Sequence, residues 1–117
     1  MRNFRKLDCW NLGMEIVGIV FVLMEKLPNA ENYGLRSQMS RAVISMPSNI
    51  AEGCSRSSNK DTARYFEISI GSAFELETQI LAGQIAGYFD QKDIDKVIPK
   101  VQEFQRKTNS YRLKILQ

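Results

Sequence analysis

At 117 residues, with 44% hydrophobic and 25% charged side chains, the chain is sized for one domain with its own core (residues 1–117) and shows no bias toward disorder or repeats. A formal charge of +3 and a pI near 9.0 permit an acidic partner such as RNA without requiring one. Histidine is absent, which removes the commonest general base and metal ligand, and Cys9 and Cys54 stand outside any CxxC or Cys/His grouping. Neither a metal nor a cofactor is expected, and both cysteines read as reduced thiols.

The opening, Met1-Arg-Asn-Phe-Arg-Lys6, has the basic character of a secretion signal. Asp8, Trp10, Asn11 and Glu15 then break the apolar stretch such a signal needs, and no small-residue cleavage site appears. The apolar run from Ile16 to Met24 is too short to span a bilayer, which takes roughly 20 residues. A cytoplasmic protein without a membrane partner is expected. A first helix is predicted from about Asp8 to Lys26. At about 100° per residue it carries two apolar faces. Trp10, Met14, Val17, Phe21 and Met24 form one; Leu12, Ile16, Ile19, Val20 and Leu23 form the other. A small bundle has no central helix, so the second face implies a contact between subunits.

Pro28, Asn29 and Asn32 punctuate the first connection. A second helix from about Tyr33 to Gly53 repeats Leu35, Met39, Ala42, Val43, Met46 and Ile50 at core spacing. Pro47 is expected to kink it near Val43, and Gly53 to end it in the left-handed conformation. Ser58-Asn-Lys-Asp61 has capping-box spacing and starts a third helix to about Ala86. Its predicted core face is Phe66, Ile70, Ala73, Phe74, Glu77, Ile80 and Leu81. The fourth helix begins at Asp90 or Asp93, or nearer Pro99. Its stripe is Ile94, Val97, Ile98, Val101, Phe104, Thr108, Tyr111 and Ile115. No segment alternates with a period of two residues. The fold class is all-α, an up-down-up-down antiparallel four-helix bundle.

Gln38, Arg41, Ser45, Ser48, Asn49 and Glu52 share one polar strip of the second helix. Arg41 and Glu52 lie about three turns, or roughly 16 Å, apart and cannot pair with each other. The strip reads either as a surface for a phosphate or partner chain, or as a polar seam between helices. Glu75 and Glu77 point to different sides of the third helix, so they make no catalytic pair. Glu77 is expected to be a buried acid held by Arg41 or Asn49, because a lone buried carboxylate is costly. Arg56, Lys60 and Arg64 recur every four residues, and Lys96, Lys100, Lys107 and Lys114 run along one side of the fourth helix. Such basic rows suit phosphates, whose counterions each Lys or Arg releases, but they also suit a solvated face. Phosphate-loop, dinucleotide and serine-hydrolase motifs are all missing, so no enzyme is expected.

Tyr33-Gly-Leu, Gln38, Arg41-Ala and Ser45-Met-Pro-Ser-Asn-Ile-Ala-Glu-Gly53 resemble the family of 23S ribosomal RNA intervening-sequence proteins. A similar group is the accessory variability determinant proteins of diversity-generating retroelements. The resemblance extends to Phe4, Leu7, Trp10, Arg56, Gly71-Ser-Ala-Phe-Glu-Leu-Glu77 and Gly87-Tyr88, and so covers nearly the whole chain. It implies a barrel-like homopentamer of four-helix protomers with a basic surface, no catalytic residues, and genes that often lie inside ribosomal RNA intervening sequences. The resulting expectation is an oligomeric RNA-binding accessory protein, with ribosomal RNA or another structured nucleic acid as partner. The alternative is a protein-binding adaptor or assembly scaffold.

Overall fold

The computed structural model describes residues 1–117 and contains helices and no strand. α1 (Asp8–Leu23), α2 (Leu35–Cys54), α3 (Asn59–Ile85) and α4 (Gln91–Leu116) are joined by short connections. Single 3-10 turns occupy Phe4–Lys6, Met24–Lys26 and Asn29–Glu31.

Local chemistry sets the ends. Ser58 Oγ accepts the Asp61 N–H at 3.1 Å and starts α3. Asp90 and Asp93 form a reciprocal box: Asp90 Oδ1 accepts the Asp93 N–H at 2.9 Å, and Asp93 Oδ2 accepts the Asp90 N–H at 3.0 Å. Asp90 is therefore the cap of α4, and the helix continues through the exposed Pro99. Gly87, at φ 85°, closes α3, with Tyr88 N–H donating to Gly83 O and Gly87 N–H to Gln84 O. That pattern needs a left-handed residue, which glycine adopts without a steric penalty.

The helices form a square in cross-section. α1 packs on α2 and α4, α3 packs on the same two, and the diagonal pairs make next to no contact. Residue numbers rise on one helix as they fall on its neighbour. Glu15 meets Lys100 at 3.1 Å and Lys26 meets Asp93 at 2.7 Å across α1 and α4. Thr62 Oγ1 donates to Gly53 O at 2.8 Å and Ser69 Oγ to Met46 O at 2.6 Å across α2 and α3. Fully buried residues from every wall meet in the centre, among them Ile16, Val20, Met39, Met46, Ile50, Phe66, Leu76, Ile80, Val101 and Phe104. Each large side chain so buried contributes about 1.5–3 kcal/mol. Cys9 and Cys54 are both buried and unpaired, and burial pushes the Cys9 thiol up to about 11.

Two expectations need correction. The core face of α3 is Phe66, Ser69, Ala73, Leu76 and Ile80, with Phe74 and Leu81 exposed. The face expected from hydrophobicity is off by roughly a quarter turn. The stripe through Phe74 and Leu81 is the more hydrophobic one, whereas the true core side carries small residues. Ser69 and Ser72 let α2 approach closely, and their hydroxyls bond to Met46 O and Ser45 Oγ. Gly53 does not end α2 in the left-handed conformation, because it sits inside the helix. A Cβ there would lie 3.0 Å from both Thr62 O and Tyr65 Cβ, so Gly53 serves close approach to α3. α2 continues through Pro47, as expected, and the proline ring is buried against Gly13 of α1.

The two faces of α1 differ in fate. Leu12, Ile16, Val20 and Leu23 enter the core. Trp10 and Val17 remain half-buried, and Met14 and Phe21 are 46% and 44% exposed. Trp10, Met14 and Val17 line a shallow apolar groove of about 360 Å³ between α1 and α2, together with Phe4 and Ile44. On the opposite side of the square, Phe74 and Leu81 line a second groove with Gln102 and Gln105.

Two acids at the other end tie connections together. Glu31 accepts from Leu35 N–H at 3.0 Å and Tyr88 Oη at 2.9 Å, and these bonds hold its carboxyl below the usual range. Burial pushes Asp93 upward, but the hydrogen bonds from Lys26 and from Asp90 N–H outweigh it and leave the pKa lowered. A carboxyl depressed in the folded state stabilises above its unfolded pKa, and that contribution is lost as pH falls through the folded value. The protein is therefore expected to lose stability as pH falls below the ordinary values of 4.5 and 3.8. A Glu31→Gln/Asp93→Asn variant should be less stable at neutral pH and lose less on acidification. Urea midpoints measured against pH check this; parallel curves for the two proteins would contradict it.

Candidate nucleic-acid interface

A layer through Gly13, Pro47, Ser69 and Phe104 divides the 44 Å long axis. On one side lie residues 1–12, 48–68 and 105–117. Arg2 N–H donates to Cys54 O there, and residues 6–9 share a groove with the last turns of α4. This end carries ten basic and four acidic side chains, a formal +6. The rest of the chain carries six and nine, a formal −3, which together give the chain's +3. The modest net charge thus conceals a polarised molecule, and polarisation concentrates the field at one end.

Arg56, Lys60 and Arg64 all lie at the basic end, and the two arginines flank Tyr65. The Arg56 guanidinium sits 5.2 Å from the Tyr65 ring centroid and that of Arg64 4.9 Å. Cation–π contact of this kind holds the planar groups while leaving donors free. Arg56 also pairs with Glu52 at 3.5 Å, and Arg64 with Asp61 at 3.7 Å. These pairs are exposed and worth little. Arg56 Nε is shut off from water and has no acceptor. Arg2 joins the cluster by donating to Asn59 Oδ1 at 2.6 Å and Thr62 Oγ1 at 3.3 Å. Reasoning from sequence misses Arg2. The basic Met1–Lys6 segment is its only signal, and that segment also imitates a targeting peptide.

The row on α4 does not act as one surface. Lys107 lies at the basic end, paired with Glu103 at 3.4 Å. Lys96 and Lys100 lie in the acidic half, and Lys100 is engaged with Glu15. Arg41 also falls outside the basic end. It lines a polar cleft of about 460 Å³ with Gln38, Ser45, Ser72, Glu75 and Gln79. The strip on α2 thereby meets α3. Ser45 and Ser72 hydroxyls are 2.7 Å apart, and Asn49 Nδ2 donates to Ser45 O and Oγ at 2.9 and 2.8 Å. Glu77 does not meet Arg41 or Asn49. It is half-buried and accepts from Gln105 Nε2 at 2.8 Å and Gln102 Nε2 at 3.1 Å, both on α4. The rotation of α3 explains the change of partner, because it turns Glu77 away from α2. The sequence carries no direct signal for these glutamines, which sit one turn apart on the flank of the α4 stripe.

The profile of the 23S rRNA-intervening sequence proteins matches residues 5–110. The chain belongs to that family. The matched span takes in nearly all of the four helices and most of the basic end, Arg56, Lys60 and Arg64 included. Membership fits an association with ribosomal RNA intervening sequences. No curated protein matches it. No helix of this family member is long and apolar enough to cross a membrane, and no group of three or more acidic or cysteine side chains has the arrangement of a metal site.

Proposed function

We propose that this member of the intervening-sequence family is a non-catalytic, cytoplasmic RNA-binding accessory protein. Its up-down-up-down protomers assemble into a ring, with a pentamer favoured. The observation that carries the reading is the charge polarisation, +6 on the end that holds Arg56, Lys60 and Arg64 against −3 on the rest. The family's association with ribosomal RNA makes structured RNA the first partner to test.

Assembly is supported by two grooves on opposite sides of the square, one apolar and one in which exposed Phe74 and Leu81 sit among polar side chains. Trp10, Met14 and Ile44 line one, and Phe74 and Leu81 the other. Unlike faces on opposite sides favour a head-to-tail contact, which closes into a ring when the rotation per subunit allows. Five parallel protomers would gather about +30 of formal charge on one rim, a field able to steer and hold a polyanion.

Light scattering of the purified protein, with and without a ribosomal RNA fragment, tests both parts. The expected mass is about five protomers, increasing with RNA at low salt and losing that increase as salt rises. A monomer indifferent to RNA would overturn the reading. A stable oligomer that ignores RNA at every salt concentration would favour the adaptor or scaffold function, in which the same grooves and the polar strip on α2 serve protein contacts alone.

A further inference from the structure

At the basic end, residues Lys6–Cys9 and the last turns of α4 enclose a groove of about 420 Å³. Lys6, Arg106, Lys107 and Lys114 converge on it from two segments far apart in sequence, with Ser110 and Tyr111 between them. Lys107 alone of the four cations has an ion pair. Asp8 is the one acid on the rim, and its place in the first turn of α1 complements the helix terminus. Leu7, the residue before α1, offers no side-chain cap to the helix. Tyr111 is half-buried and stacked on Phe66, with centroids 5.7 Å apart and planes 25° apart, which fixes the ring beside the cations.

We infer that this groove binds a phosphate group of RNA, with the adjoining base against Tyr111; the inference rests on the RNA-binding reading above. A carboxylate-bearing peptide fits less well. A carboxylate and an RNA phosphodiester each carry one charge, so the cations alone do not choose between them; the fixed Tyr111 ring beside the cations, on which a base can stack, favours RNA. The volume lies within the range of small-ligand pockets, and an aromatic ring beside a basic groove is the arrangement that captures a single-stranded base. The groove is separate from the Arg56–Tyr65–Arg64 cluster, so the basic end would hold RNA at two places.

Amide shifts of the isotope-labelled full chain test this. The probes are a short single-stranded oligoribonucleotide, adenosine 5′-monophosphate, inorganic phosphate and a glutamate-rich peptide. Shifts at Lys6, Ser110 and Tyr111 are expected with the oligonucleotide and the monophosphate, and smaller ones with inorganic phosphate. A Lys6→Ala/Lys114→Ala variant, altered at exposed positions only, should keep its remaining spectrum. It should bind the oligonucleotide about tenfold more weakly, with a salt slope lower by about 1.4. RNA binding that leaves the groove amides unmoved overturns the groove and spares the RNA-binding reading. If RNA fails to bind at any salt, the groove inference falls together with the RNA-binding reading. A response to the glutamate-rich peptide alone overturns it as well.

Discussion

Replacing Phe104 by alanine is expected to cost about 3–5 kcal/mol in urea unfolding, a large part of the total stability of a domain of this size. Phe104 is fully buried, and its ring fills the hollow left by Gly13. A Cβ built on Gly13 would stand 3.1 Å from Phe104 Cε2 and 3.3 Å from Pro47 Cβ. The two positions are therefore coupled. In the wild type, Gly13→Ala gains helix propensity of about 1 kcal/mol but crowds the ring. In the Phe104→Ala background the crowding from the ring is gone, so Gly13→Ala should be more favourable there by about 1 kcal/mol. Strict additivity of the two substitutions would mean that the contact is not close-packed in solution.

The Arg56→Ala/Lys60→Ala/Arg64→Ala variant is expected to weaken RNA binding on the order of 10²–10³-fold near 0.1 M salt. Each phosphate contact scales with salt to a power of roughly −0.9, so three lost contacts lower the logarithmic slope by about three. The oligomer should survive, because these side chains lie outside both grooves. Lys96→Ala is the control: Lys96 is equally basic and exposed but lies in the acidic half, and its loss should leave binding nearly unchanged. If both variants bind equally weakly, the charge acts as an undirected cloud and the basic end is not the interface. Binding isotherms at several salt concentrations distinguish these outcomes.

The elements were legible because caps and periodicity are local. Asp, Ser and Gly at the helix ends satisfy backbone groups within a few residues. The stripes of α2 and α4 consist of apolar side chains at three- and four-residue spacing, and a polar lapse there is rare enough to be unambiguous. α3 is harder. It has two candidate stripes, and the less hydrophobic one is buried, because hydrogen bonds to α2 offset the cost of burying Ser69 and Ser72. Hydrophobicity alone selects Phe74 and Leu81, and with them the wrong neighbour for Glu77.

What the sequence by itself determined is therefore the number of the helices and, the start of α4 apart, their approximate extent, the doubly apolar character of α1, and the likeness to the ribosomal RNA intervening-sequence family. These rest on interactions within one turn or on a contiguous motif. Only the tertiary structure decided which basic residues stand together. Arg2 meets Asn59 and Thr62, and Lys6 shares a groove with Lys114, over separations no periodicity can register. Lys96 and Lys107, by contrast, share one helix yet fall in opposite halves. A helix rises about 1.5 Å per residue, so a row along it spreads charge down the bundle. Charge gathers at one end only where the ends of several helices meet, and that meeting is a property of the packed fold.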